Sequence, residues 1–433
     1  MSPKSISDAR HFAAAALVGV LVGLIGGLFH VAIDSVSRWP AWLASHTNGW
    51  LHLTLSGLIT ALITVLCVLV VRRVAPEAAG SGVQEIEGAM DGVRIIRWQR
   101  ILPVKFFIGI FSIGSGLVLG REGPTIHIGA SISAWLSNKT RQAEHEHKGL
   151  LAAGAAAGLA CAFNAPVAAL LFVGEEMRRQ FPFSFRNFMA VAIACVLATA
   201  LASLVTGASP GPDLHLAIQA SPLALTVLPA FVVLGGLLGL LGLALNKGLL
   251  FASSLSAFCH KHLPYAFPAT VGLSVGLLLV AFPSAVTGGE KLIQQLSTTP
   301  PALGVLLTLV VVRFLTTTAS YATGVPGGIF APILSLAFCA GLGFGTLANS
   351  LPALHGLDPV VFGIAAMGGL FAASVHAPTV GIILIAELTG AYSLLLPLMI
   401  TCMSAYITAK WLGGKPIYEE LLERVLKQTS TRS

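Results

Sequence analysis

Leu223 to Asn246 carries no charged residue, and Val360 to Ala386 carries none apart from the titratable His376. Each run is long enough to cross a hydrocarbon core of roughly 30 Å as a helix. With 433 residues, 55% of them hydrophobic and 10% charged, the chain has too little polar surface to clothe a soluble globule. It reads as an integral membrane protein, all-α and polytopic. Further candidate spans are Phe12 to Ile33, Leu53 to Val71, Phe106 to Leu119, Asn187 to Thr206, Phe267 to Phe282 and Leu303 to Val312. Several are short, and the 46 Gly and 23 Pro interrupt them. Broken and re-entrant helices are therefore expected, buried in protein or lining a water-filled path, because bare backbone is not tolerated against lipid.

The net charge of +7 comes from basic residues scattered through short loops, such as Arg72-Arg73, Arg94/Arg97/Arg100, Lys139/Arg141/Lys148 and Arg178-Arg179. They read as membrane-flanking charge, with no basic face for nucleic acid. Six cysteines lie mostly in apolar stretches without ligand-like spacing and read as small core hydrophobes. Lys4 and Arg10 precede an apolar run that continues from Phe12 through Phe29, longer than a signal-peptide core, so a retained first membrane helix is expected. Glu144-His145-Glu146-His147 has metal-capable residue types but sits in a highly charged loop. No metal or other cofactor is expected, and no Ser/His/Asp set or phosphate loop argues for an enzyme.

Three short glycine-bearing strings stand inside this apolar sequence: Gly80-Ser81-Gly82-Val83-Gln84, Gly120-Arg121-Glu122-Gly123-Pro124 and Gly328-Ile329-Phe330-Ala331-Pro332. Each lets the backbone turn sharply into a helix, and in the second and third a proline falls in the first turn, where its missing N–H is not needed. A buried helix start aims unpaired N–H groups and a partial positive charge at one spot. That attracts an anion without a full cation, so the anion can also leave.

In these strings the chain resembles the CLC family of chloride channels and chloride/proton exchangers. The family patterns GSGIP, GREGP and GxFxP stand here as GSGVQ, GREGP and GIFAP, in the same order, and Gly413-Gly414-Lys415-Pro416-Ile417-Tyr418 resembles the family's terminal tyrosine segment. The similarity is clearest from Val74 to Tyr418 and is greatest to bacterial exchangers of enterobacterial type. It implies one CLC transmembrane domain over residues 1–433, built from two diverged repeats of inverted topology, about 12–207 and 220–418. A short cytoplasmic tail, 419–433, is expected in place of a large regulatory domain. The resemblance also implies a homodimer with one pathway per subunit, in a bacterial inner membrane with both termini cytoplasmic. Chloride ions, protons and the lipid bilayer are the expected partners. The implied activity is proton-coupled chloride exchange, with a passive, voltage- or pH-gated chloride channel as the alternative.

A repeat is visible in the residues themselves. Asn164-Ala165-Pro166 and His376-Ala377-Pro378 are each followed, nine residues after the proline, by a glutamate, Glu175 and Glu387. Pro378 follows Pro166 by 212 residues and Pro332 follows Pro124 by 208, so two halves joined within Ala208 to Gln219 are expected.

Ser81 reads as a helix N-cap, and by resemblance as a chloride ligand. Tyr418 reads as an interfacial aromatic, and by resemblance as a phenol meeting Ser81 at the anion. Ile329 and Phe330 would complete that site with backbone N–H groups. Glu122 is a carboxylate at membrane depth, where ionisable groups are functional by default. Ionised, it can occupy an anion position and block the path; the competing reading is a buried ion pair with Arg121. Glu175-Glu176 reads as a solvated helix end paired with Arg178-Arg179. By resemblance, Glu176 is the inner proton-transfer residue and Glu122 the outer one, while Glu87 and Lys105 are supporting charges. His127 and His376 read as buried packing residues. Gln84 replaces the family's proline and Val83 its isoleucine, so the first helix start is less rigid. The retained Ser81 points to chloride over nitrate or fluoride, and Gly174 could loosen the proton route.

Overall fold

The computed structural model describes residues 3–140, 144–207, 214 and 225–430. The join expected within Ala208 to Gln219 lies outside the described residues apart from Leu214. The first half contains α1 (Pro3–Val36), α2 (Trp39–His46), α3 (Gly49–Val74), α4 (Val83–Met90), α5 (Trp98–Pro103), α6 (Gly109–Gly114), α7 (Glu122–Thr140), α8 (Glu144–Phe163), α9 (Pro166–Glu175) and α10 (Phe185–Thr206). A π-helical turn, Val104–Ile108, joins α5 to α6. The second half contains α11 (Leu228–His262), α12 (Ala266–Ala281), α13 (Glu290–Thr298), α14 (Leu303–Ala322), α15 (Phe330–Ala348), α16 (Pro359–Val375), α17 (Pro378–Thr389), α18 (Leu395–Trp411) and α19 (Ile417–Ser430). Among the described residues, seven helical segments are long and apolar enough to cross a membrane.

The halves repeat one packing plan. α7 and α15 are each 19 residues long and each begins in a glycine string. α7 packs on α8 as α15 packs on α16, α1 on α10 as α11 on α18, and α8 on α10 as α16 on α18. The repeated tripeptides explain one corner of this plan: Asn164 and His376 both adopt left-handed backbone, at φ 54° and 64°, and each is followed by a proline in the first turn of the next helix. The glutamates at the far ends of those helices then exchange contacts. Glu175 accepts from the N–H groups of Thr379 and Val380 at 3.1 and 2.8 Å, while Glu387 accepts from those of Val167 and Ala168 at 3.2 and 2.8 Å. Each of α9 and α17 thus caps the other's exposed N-terminal donors, a reciprocity expected of two halves related by a two-fold axis.

Small residues let the inner helices meet backbone to backbone. A Cβ on Gly154 would strike the Gly129 backbone and one on Gly158 would strike Thr125, so α7 and α8 cross with almost no side chain between them. The first helix is no leader appended to the fold, since α1 packs against both α8 and α10. The expected span Phe106 to Leu119 is corrected. Its helix begins at Trp98 and ends at Gly114, and Gly116, at φ 98°, turns the chain into the extended approach to Gly120.

Candidate functional site

The three glycine strings meet. Gly120 and Gly328 exchange backbone hydrogen bonds of 2.9 and 2.8 Å. On the other side, Gly80 N–H donates to Val325 at 3.1 Å and Gly80 O accepts from Gly327 at 3.1 Å. The Val325–Gly328 segment is therefore held between both strings of the first half. Three helix starts follow from this knot: α4 at Val83, α7 at Glu122 and α15 at Phe330. Lys105, on the π-helical turn and fully buried, donates to the carbonyls of Gly80 and Ser81 at 2.6 and 3.0 Å. Its ammonium fixes the first string through the backbone and leaves the Ser81 side chain free.

Glu122 is fully buried, and its Oε1 accepts from the N–H groups of Phe330 and Ala331 at 2.7 and 3.3 Å. Oε2 has no protein partner. A carboxylate from the first half thus sits on the N-terminal donors of α15, in the second half. The backbone must be bare around it, because a Cβ on Gly120 or Gly328 would collide with the carboxylate. The ion-pair reading of Glu122 with Arg121 is corrected: Arg121 turns the other way, to Asp34 at 3.3 Å and Glu290 at 3.0 Å, in the wall of a cavity of about 370 Å³.

Ser81 does not cap α4. The N-cap is Gly82, at φ 96°, with no side-chain cap bond, and the Ser81 hydroxyl has no partner although fully buried. Gln84 is at the second helical position, where its buried Oε1 is also unpartnered. Tyr418 is no interfacial aromatic either, being fully buried at the start of α19. Its phenol faces Ser81 without either group being bonded to protein. The Tyr418 ring lies 5.9 Å from that of Phe330, which Phe163, Phe172 and Phe371 also surround. That aromatic cage sets the rotation of α15's first residue and so the aim of its amide. His127 packs against Gly82, closely enough to exclude a Cβ there.

Glu176 follows α9 directly and is half-buried in the wall of a second cavity of about 580 Å³, with Glu87, Asp91, Glu175, His376 and Glu419. The expected pairing of the glutamates with Arg178-Arg179 is replaced: Glu175 caps α17, and Arg179 pairs with Glu419 at 3.0 Å. At the rim, Lys415 donates to Glu423 at 3.0 Å, which keeps that carboxyl below its usual range. The Glu144–His147 run disperses, with Glu144 on Lys148, Glu146 on Arg186 and His147 on the Ser137 hydroxyl. Among the described residues, no group of three metal-ligating side chains converges.

One buried cation was missed in the sequence. Arg313 is fully buried on α14 and donates to the carbonyls of Ser284, Val286, Thr287 and Gly288 and to the Ser335 hydroxyl. It satisfies the bare backbone between α12 and α13. The signal was a lone charge in an apolar run, just beyond the expected span ending at Val312.

Comparison with known proteins agrees with this fold. A family model described as "Voltage gated chloride channel" matches residues 63–410. The H(+)/Cl(-) exchange transporter ClcA of Vibrio parahaemolyticus is 43% identical over 425 residues, covering 96% of this chain and 90% of that protein. The protein of the same name from Salmonella typhimurium is 39% identical over 420 residues, covering 95% and 88%. Among solved structures, a slow cyanobacterial Cl-/H+ antiporter superposes with a TM-score of 0.91 at 33% identity, covering 97% of this chain and 99% of that one.

Proposed function

Because the chain belongs to the voltage-gated chloride channel family, we propose that it exchanges chloride for protons across a bacterial inner membrane, with both termini in the cytoplasm. The observation that carries this reading is the Glu122 carboxylate on the Phe330 amide, at 2.7 Å. In this reading chloride is held by the Ser81 and Tyr418 hydroxyls and by the Ile329 and Phe330 N–H groups. Chloride and the ionised carboxylate then compete for the Phe330 donor, which they cannot share. Protonation removes the carboxylate's charge, weakens its hold on the helix start and yields the amide to the anion. Return of the carboxylate requires loss of both the proton and the anion from the site. One competition therefore couples the two ions in opposite senses.

A channel needs only that outer gate. An exchanger also needs a route for the proton to the cytosol, and Glu176 in the wall of the larger cavity, beside Glu87, supports it. The names of the relatives point the same way. A homodimer with one pathway per subunit is part of this reading.

Reversal potentials in planar bilayers test the function. Under a pH gradient at equal chloride on both sides, an exchanger reverses away from zero. Reversal at zero would make the protein a passive chloride pathway.

A further inference from the structure

Tyr321 ends α14, only 6% exposed, and neither the glycine strings nor the terminal tyrosine segment includes it. Its ring reaches under the first string. A Cβ on Gly80, where φ is 62°, would stand 2.9 Å from the Tyr321 hydroxyl and 3.1 Å from the carbon that bears it. Ser81 is the next residue of that string, and Tyr321 is within electrostatic reach of Tyr418. The Tyr321 hydroxyl thus stands against the backbone of the string whose next side chain, Ser81, faces Tyr418.

Hydroxyl groups crowded together without an acceptor are poorly satisfied. Ser81 Oγ and Tyr418 Oη have no protein partner, and the nearby carbonyls of Gly80 and Ser81 are already taken by Lys105. The Tyr321 hydroxyl, against the backbone of the same string, adds a further donor there. A small anion is an acceptor that would suit such donors, and a buried ammonium behind the string's backbone favours the same charge. We propose that Tyr321 is a specificity-determining residue of the chloride site, supplying a third hydroxyl donor beside those of Ser81 and Tyr418. This inference rests on the chloride reading above and extends it to a residue outside the three glycine strings and the terminal tyrosine segment.

Removing one hydroxyl tests it with little disturbance of shape, since phenylalanine fills the same ring volume. Chloride affinity of the full-length protein in detergent is measured by calorimetry for wild type and Tyr321→Phe, with thermal unfolding in chloride-free buffer as the check on folding. The expected result is chloride binding weakened roughly three- to tenfold, with unfolding temperature unchanged. Selectivity measured as chloride against thiocyanate flux should fall as well, because a compact, strongly hydrated anion gains more from a hydroxyl donor than a diffuse one does. Equal affinity and equal selectivity in the two proteins would overturn the inference while leaving the chloride reading in place. Wild-type protein that binds no chloride would remove that reading, and the inference with it.

Discussion

Glu122 and Glu176 stand in different surroundings, and the proposed roles differ accordingly. Glu122 is wholly enclosed and faces backbone donors from the other half of the molecule. Neutralising it permanently removes the anion that competes for the Phe330 amide. Glu122→Gln should therefore bind chloride more tightly than wild type and pass it with little pH dependence, while proton movement stops; parallel chloride and proton flux assays check this. Glu176 lines a wide cavity among other carboxylates. Glu176→Gln should abolish proton transport with chloride still passing, since an amide cannot take up and release a proton. Glu175 sits one residue away but is held by α17, so Glu175→Gln should keep proton transport and lower stability by about 0.5–2 kcal/mol, the range for a weakened helix cap. Equal proton transport by both variants would leave the inner route without Glu176. At this scale the sequence singled out the candidate residues but often not what they touch. Ser81 looked like a cap and Arg121 like a partner for Glu122, because local spacing says nothing about a donor or acceptor in the other half of the chain. Lys105 was visible only as a charge, yet its function in the fold is to pin two carbonyls.

At the scale of elements, glycine has two opposite meanings here. Gly154 is where α7 and α8 touch, and a methyl group there would push into the Gly129 backbone. Gly174 lies near the end of α9, and a Cβ there would meet only Phe183, at an ordinary 3.7 Å. Gly154→Ala should therefore cost about 1–3 kcal/mol through overpacking. Gly174→Ala should instead gain about 0.5–1 kcal/mol, since its backbone is helical and alanine is the better helix former. Thermal unfolding in detergent distinguishes them, and a stabilised Gly154→Ala would contradict the described crossing. The looseness expected of the proton route at Gly174 is thus a matter of helix propensity, not of unusual backbone. Element types were legible from apolar runs and from Gly and Pro, but their ends were not. Trp98–Gly114 continues through a π-helical turn that no spacing marked, and α14 runs past Arg313 because buried carbonyls satisfy its charge.

For the whole molecule, the repeated tripeptides and glutamates reveal a two-half plan on their own. What they do not reveal is its sense. The exchange of caps between α9 and α17 and the Glu122 contact across the halves show how the halves fit: each completes donors that the other leaves open. In the proposed mechanism an anion enters the shared site only as the Glu122 carboxylate leaves, and the carboxylate leaves with its proton. The direct test uses liposomes holding the purified protein, with high chloride inside, low chloride outside, equal pH and the membrane voltage set to zero. Chloride leaving down its gradient should drive protons inward against the pH gradient that builds, and the bath should turn alkaline. Chloride efflux with no change of bath pH would contradict the exchange of the two ions at Glu122.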